Sequence, residues 1–392
     1  MGTDARVAAS LGSARRLAAL AAGQVISWGI LYYGPLVAAP AIAAGTGWSL
    51  AEVTLSLSAG LVASAAAGIA VGRWLDRRGP RVLMTVGSLV GGVGMVVAST
   101  ASTLPHFALG WAIAGVGQAA VLYQAAFTVI VKRHPHDRRR AMTIVTLAGG
   151  LASTVFAPIT AGLLSAFDWR SVLCILAAVL VATTTPLHWS TLERSWPSAA
   201  AAVDAPRPVG AVLRSRRFWL LELAMVGIAA ALYSVTLALI PLLTEKGVSF
   251  ELAAWALGLL GAGQVIGRLV HAVTPHAAAA WVPLLVVAGA SALLLAALAL
   301  VPGPPWVLIL IGIATGAARG AQTLVQGSAV VERWGAASYG ALNGVFAAPI
   351  TAVAALGPAL GPVLALGTGS YAGMALIAAG VAAAAAVVAR WT

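Results

Sequence analysis

Arg319 lies in the middle of the apolar stretch GIATGAARGAQTLVQG, and Gln322 and Gln326 follow it. On a helix the spacing i, i+3, i+7 places a guanidinium and two amides on one face. Arg268 lies in a second apolar stretch, GLLGAGQVIGRLVHAV, nearer its end. An arginine cannot shed its proton to escape a nonpolar medium. Insertion scales charge about 2.5–3.5 kcal/mol for one at the centre of a membrane helix, where ionisable groups are functional by default. A guanidinium grips a carboxylate through two parallel hydrogen bonds. None of the eleven acidic residues falls at the level of Arg319; Glu222, about one turn into its own apolar stretch, is the deepest of them. A positive, incompletely paired level of this kind suits an anion arriving from solution.

Further polar side chains recur in other apolar stretches. Gln24, Trp28 and Tyr32 follow i, i+4, i+8; Gln124 and Thr128 form another pair, and Tyr233 and Thr236 a third. Each has a plainer reading. Arg268 could send its head to the membrane surface while its stem covers apolar area. Arg319 could bond backbone carbonyls, and the glutamines could bind helix to helix. The single cysteine, Cys174, allows no internal disulfide, and the six histidines have no metal-ligand spacing. Clustered acids and a nucleophile paired with a base are also lacking, so the sequence implies neither an enzyme nor a cofactor.

The elements that must position these groups follow from composition. Of 392 residues, 60% are hydrophobic and only 9% charged, where a soluble protein has roughly 25% charged. Apolar runs of about 20 residues, enough to cross a bilayer as helices, recur along the chain. They lack the two-residue alternation of barrel strands. Twelve spans are expected, at 17–43, 51–72, 82–99, 107–131, 141–164, 170–190, 218–243, 252–273, 280–301, 306–331, 339–364 and 370–389. The first is too long for the core of a cleaved signal peptide and is read as retained. With the N-terminus in the cytoplasm, 19 of the 23 Lys and Arg residues fall on inside segments and only Arg170 and Lys246 outside. This bias sets the orientation, both termini cytoplasmic, in a cytoplasmic (inner) membrane. The formal charge of +12 therefore reflects topology. No basic face interleaved with aromatics follows a nucleic-acid backbone.

Residues 193–217, rich in Pro, Ala and Arg, read as a linker between six-helix halves at 1–192 and 218–392. The halves echo each other: GWSLAE against GVSFEL, and VFAPITAG against VFAAPITAV. Such internal duplication is common among secondary transporters, which bind substrate near the midplane.

The segment GRWLDRRGPR, with Gly72, Asp76, Arg77, Gly79 and Arg81, resembles the signature of the major facilitator superfamily, and the resemblance extends over nearly the whole chain. It implies an all-α polytopic membrane protein with twelve helices in two pseudo-symmetric halves. It further implies that spans one, four, seven and ten line a central path. In such a carrier Gly72 would let two helices approach, and Asp76 would face the start of span eleven and engage a nearby Arg. Together these residues would form a latch on one facing state. The opening ISWGILYYGPLVAAPAIAAGTGWSLAEVT is similar to the monocarboxylate and oxalate/formate exchange carriers. Those carriers hold a substrate carboxylate on an arginine that Arg268 matches, and many keep a coupling acid at the position of Gln264.

The expected function is secondary transport of a small organic anion by a monomer in the lipid bilayer. Protons or a counter-anion would be the coupling partners, and Glu222 the candidate proton site. The rival of the same fold is an efflux carrier for drugs or other xenobiotics. A non-transporting membrane sensor is more remote.

Overall fold

The computed structural model describes residues 2–194, 196, 208–275 and 279–392, and within these the side chains of 12–357 and 359–392. Of the expected linker, residues 195 and 197–207 lie outside the described residues. Among the described residues twelve helices are long and apolar enough to cross a membrane. They are α1 (Gly12–Thr46), α2 (Leu50–Arg78), α3 (Pro80–Ser99), α4 (Leu104–Arg133), α5 (Arg138–Ala166) and α6 (Trp169–Thr191). The remaining six are α7 (Arg216–Leu237), α8 (Phe250–Val273), α9 (Val282–Leu300), α10 (Pro305–Trp334), α11 (Tyr339–Thr368) and α12 (Tyr371–Ala389). Large apolar side chains such as Leu55, Trp255, Leu293 and Leu366 stay exposed. In a bilayer these contact lipid, and no water need solvate them.

Local chemistry sets the helix ends. The Ser49 hydroxyl and the Glu52 carboxylate form a reciprocal capping box at the start of α2. Asp168, Ser215, Ser249 and Ser370 each accept a bond from a backbone N–H that would otherwise be orphaned in a first turn. Two expected boundaries move. α2 continues past 72 to Arg78 and stops at Gly79, whose φ of 76° suits a residue without Cβ. Arg77 and Arg78 occupy its last turn, where cations complement the helix dipole. Most of the signature is therefore a helix end and not a loop. α7 stops at Leu237, and a short helix, Leu239–Glu245, takes up the rest of the expected span 218–243.

The chain divides into two compact units, Met1–Pro206 with Ala336–Ala348, and Arg207–Gly335 with Pro349–Thr392. The first turns of α11 thus group with the N-terminal six helices, a departure from the sequence-expected halves. The cause is contact at Gly72, where a methyl group would collide with the Gly340 carbonyl.

Glycine also lets helices touch within each unit. In the first unit, methyl groups on Gly110 and Gly117 would meet the backbones of Ala98 and Gly91, so α3 and α4 are in main-chain contact. In the second, Gly263 and Gly267 of α8 face Gly316 and Gly320 of α10, and a methyl at any of the four would strike backbone of the other helix. Small residues spaced by four are the usual way that membrane helices approach so closely.

Candidate functional site

The α8–α10 seam carries Arg268, which is buried, and Arg319, which is partly buried. Its register is parallel, with Gly316 against Leu260 and Gly320 against Gln264. Arg319 precedes Gly320 and Arg268 follows Gly267, so Arg268 stands roughly one turn further along than Arg319.

Arg319 is partly buried. Its Nη1 donates to Thr236 Oγ1 at 3.0 Å. Thr236 in turn donates to the Leu232 carbonyl at 2.6 Å, which fixes its oxygen as acceptor. The guanidinium carbon lies 4.3 Å from the centroid of the Tyr233 ring, a cation–π geometry of about 0.5–2 kcal/mol. Both partners are neutral. Among the described residues no carboxylate pairs with Arg319, and most of its five N–H groups retain donor capacity. The end of α7 thus supplies a ring and a hydroxyl that orient the guanidinium without discharging it.

Gln322 is buried and Gln326 partly so. The Gln322 amide makes long contacts, 3.9 Å to Met225 Sδ and 3.5 Å to Gln326 Oε1. The stripe from Arg319 through Gln326 therefore runs along the α7 side of α10. Beyond Met225 toward the start of α7 comes Glu222, 4% exposed, and neither carboxyl oxygen has a partner among the described residues. Arg268 is 6% exposed, so it does not reach out of the fold as a snorkelling side chain would. Gln264 beside it is partly buried.

The candidates of the first unit do different work. Gln24 is fully buried and donates to the Val121 carbonyl at 2.6 Å. Gln124 donates to the Gly68 carbonyl at 2.7 Å. Both amide nitrogens therefore bond backbone, while Gln24 Oε1 has no hydrogen-bond partner among the described residues. Trp28 and Tyr32 join an aromatic cluster: their rings lie 5.3 Å apart, Trp28 is 4.8 Å from Tyr123, and Tyr123 stacks on Phe127 at 5.5 Å.

Of the residues expected to form a latch, Gly72 and Asp76 meet the start of α11 within the first unit. Asp76 accepts from the N–H groups of Gly340 and Ala341 at 3.1 and 2.7 Å, at the start of α11 where a carboxylate is favoured. Its cation partner is Lys132 of α4, at 2.8 Å. The expected arginine does not take this role: Arg77 is exposed, and Arg81 donates to the Trp189 carbonyl at 2.7 Å and lies over the Trp189 ring. Lys132 also donates to the Ala337 carbonyl at 3.3 Å. Sequence reasoning missed Lys132 because it looked like one more basic residue of an inside loop. Trp196 covers the assembly, packing on Gly79 and lying 5.3 Å from the Arg133 guanidinium. Glu193 pairs with both Arg16 and Arg133. Nearby, burial holds the His134 imidazole below its ordinary value, against the opposing pull of Asp137 and Glu193.

Comparison with known proteins places these features. The sequence model of the Major Facilitator Superfamily matches residues 19–321. The multidrug resistance protein MdtL of Escherichia coli (strain K12 / DH10B) is 30% identical over 227 residues, 56% of this chain and 56% of the relative. MdtL of Shigella flexneri matches to the same extent. These matches thus span little more than half the length of the relatives. Among solved structures, FucP, the fucose:proton symporter of E. coli, superposes in its outward conformation with a TM-score of 0.72 at 16% identity, covering 95% of this chain and 97% of that one. The human organic anion transporter MFSD10 does so with a TM-score of 0.72 at 14% identity, covering 96% and 99%. With twelve helices long and apolar enough to cross a membrane among the described residues, this fold and a family match over most of its length, the chain belongs to the Major Facilitator Superfamily of membrane transporters.

Proposed function

We propose that this transporter carries a small organic anion, a carboxylate, by alternating access, with Arg319 as its principal contact. The observation that supports the reading is the company Arg319 keeps. A guanidinium that cannot deprotonate is held by a neutral hydroxyl and a neutral ring, Thr236 and Tyr233. A bound carboxylate would complete it with two charge-assisted bonds. Gln322 and Gln326 would then meet the substrate's remaining polar atoms, and Arg268 would act as second contact or gate.

Inward movement of one negative charge against an inside-negative potential costs about 2.3 kcal/mol per 100 mV. Uptake therefore needs a cation or exchange, and Glu222 is the group we assign to proton exchange. The latch of Asp76 and Lys132 biases which side is open. The distribution of Lys and Arg supports both termini in the cytoplasm. We take the functional unit to be a monomer.

The test is anion-driven uptake into proteoliposomes by wild type and Arg319→Gln. Loss of carboxylate transport in a folded variant supports the reading, and transport at the wild-type rate removes Arg319 from the site.

A second reading is efflux of drugs or other xenobiotics. The similarity to MdtL favours it, and so does the aromatic cluster of Trp28, Tyr32, Tyr123 and Phe127, a surface on which flat apolar rings stack. Export of a lipophilic cation, unaffected by Arg319→Gln, would favour it over the anion carrier.

A further inference from the structure

A cavity of about 160 Å³ lies in the first unit, between the start of α1, the end of α4 and the residues that follow α6. Helix periodicity builds its walls. On α1, Arg16 and Leu20 stand four apart, with Leu17 beside them; on α4, Val129 and Arg133 stand four apart. Residues at that spacing share a face. Each helix therefore offers an aliphatic side chain one turn further in than a guanidinium. Leu20 is 3% and Val129 8% exposed. The Arg16 side chain is 52% exposed, so the cavity meets solvent at Arg16. Trp196 adds an aromatic wall.

The charges in the lining do not cancel. Arg16, Arg133 and Glu193 all face the cavity, two cations against one anion. Glu193 pairs with both arginines, so the two guanidiniums already converge on a carboxylate. Arg16 gives Nη1 to Glu193 and, with five N–H groups in its fork, keeps donors for a second acceptor. His134 also lines the cavity; burial holds its imidazole below the ordinary value, and it adds no charge near neutral pH. The neighbouring cations are engaged elsewhere. Lys132 pairs with Asp76, and Arg81 donates to the Trp189 carbonyl.

Size and charge together select a ligand. An apolar cavity of about 150 Å³ takes up one benzene molecule, and the spare charge of this one is a single positive unit. We propose that the cavity binds a monoanion with a benzene-sized apolar body, an aromatic carboxylate of the benzoate type. Its ring would lie against Leu17, Leu20, Val129 and Trp196, and its carboxylate would take charge-assisted bonds from Arg16 and Arg133. A cation would meet two guanidiniums. An inorganic dianion would exceed the spare charge and leave the apolar wall without a partner. The acyl chain of a lipid is longer than the cavity. Every lining residue belongs to the first unit, so the site has no residue in common with the stripe around Arg319 and does not depend on the anion reading.

The test titrates benzoate into full-length Arg319→Gln protein in lipid nanodiscs by calorimetry, with empty nanodiscs as the blank. That background separates this cavity from any carboxylate site at Arg319. The proposal expects one saturable benzoate site. Acetate, which has the charge without the ring, and benzyl alcohol, which has the ring without the charge, should each bind at least tenfold more weakly. Arg16→Gln, a change at a half-exposed residue, should weaken benzoate at least tenfold in the same background. Leu20→Trp, which fills the cavity, should abolish binding. Absence of saturable benzoate binding would overturn the proposal, as would benzyl alcohol binding as tightly as benzoate. So would benzoate affinity unchanged in both folded Arg16→Gln and Leu20→Trp proteins. None of these failures bears on Arg319, whose role is read from transport by the wild type.

Discussion

Lys132 Nζ stands 2.8 Å from the carboxylate of Asp76, and that carboxylate also receives the first N–H groups of α11, at Gly340 and Ala341. Asp76 and Lys132 side chains are 10% and 5% exposed. Removing one member of so buried a pair leaves the other charge uncompensated, typically at a cost of about 3–5 kcal/mol. Lys132→Ala should therefore harm the protein more than Asp76→Asn, which keeps a side chain of the same shape beside α11. We expect Asp76→Asn to reduce turnover at least tenfold while substrate affinity changes little. A stopped-flow comparison of turnover and binding checks this, and equal losses in both would assign Asp76 to folding alone.

The α8–α10 seam predicts a steric failure. Any side chain at Gly267 or Gly320 meets the facing backbone, so Gly320→Val should lower the yield of folded protein sharply. Gly258 and Gly261, on the same α8, have open space around them and should accept Ala with little change. Size-exclusion profiles of purified variants measure the contrast.

Glu222 predicts a pH response. Its carboxyl is buried in α7 without a partner among the described residues. Of the helices packed on α7, α9 has no titratable side chain, and α12 has only Tyr371 at its start. On α10, Arg333 donates to the Ala280 carbonyl and to Thr392, and on α7 itself Arg217 donates to the Thr392 carbonyl. If Glu222 exchanges the coupling proton, an imposed pH gradient should accelerate wild-type uptake and leave Glu222→Gln unmoved, while anion exchange at equal pH survives in the variant. Gradient-driven uptake at the wild-type rate in Glu222→Gln would remove it from the proton path.

Asp168, outside the membrane spans, gives a signed prediction for stability. The N–H of Ser171 holds its carboxyl below the ordinary value of 3.8. A group whose folded value is depressed stabilises the fold above its unfolded value, and that contribution disappears as pH falls through the folded one. Asp168→Asn should thus melt below wild type near neutral pH, and the gap should narrow on acidification below about pH 4. A gap independent of pH would show that charge plays no part in this cap.

Which features could be read without coordinates follows from their physics. The spans announce themselves because lipid demands long apolar runs, and every expected run has a helix over it. Gly72 and Asp76 were legible because their spacing is a signature. Lys132 was hidden because its partner is 56 positions away in sequence, and no local pattern marks such a pair. Gln24 looked like a pathway residue because periodicity reports a face and not what the face touches; its bond to the Val121 carbonyl leaves no mark in composition. Arg319 was conspicuous by its cost, but its neutral partners Thr236 and Tyr233 became visible as partners only in the folded unit.

The most direct measurement is carboxylate binding to purified wild type and Arg319→Gln by titration calorimetry, with Arg319→Lys as a charge-preserving control. The account predicts saturable binding to wild type, weakening of at least a hundredfold in Arg319→Gln, and partial recovery in Arg319→Lys, which keeps the charge but loses the two-pronged grip. Undiminished carboxylate affinity in a folded Arg319→Gln protein would contradict it.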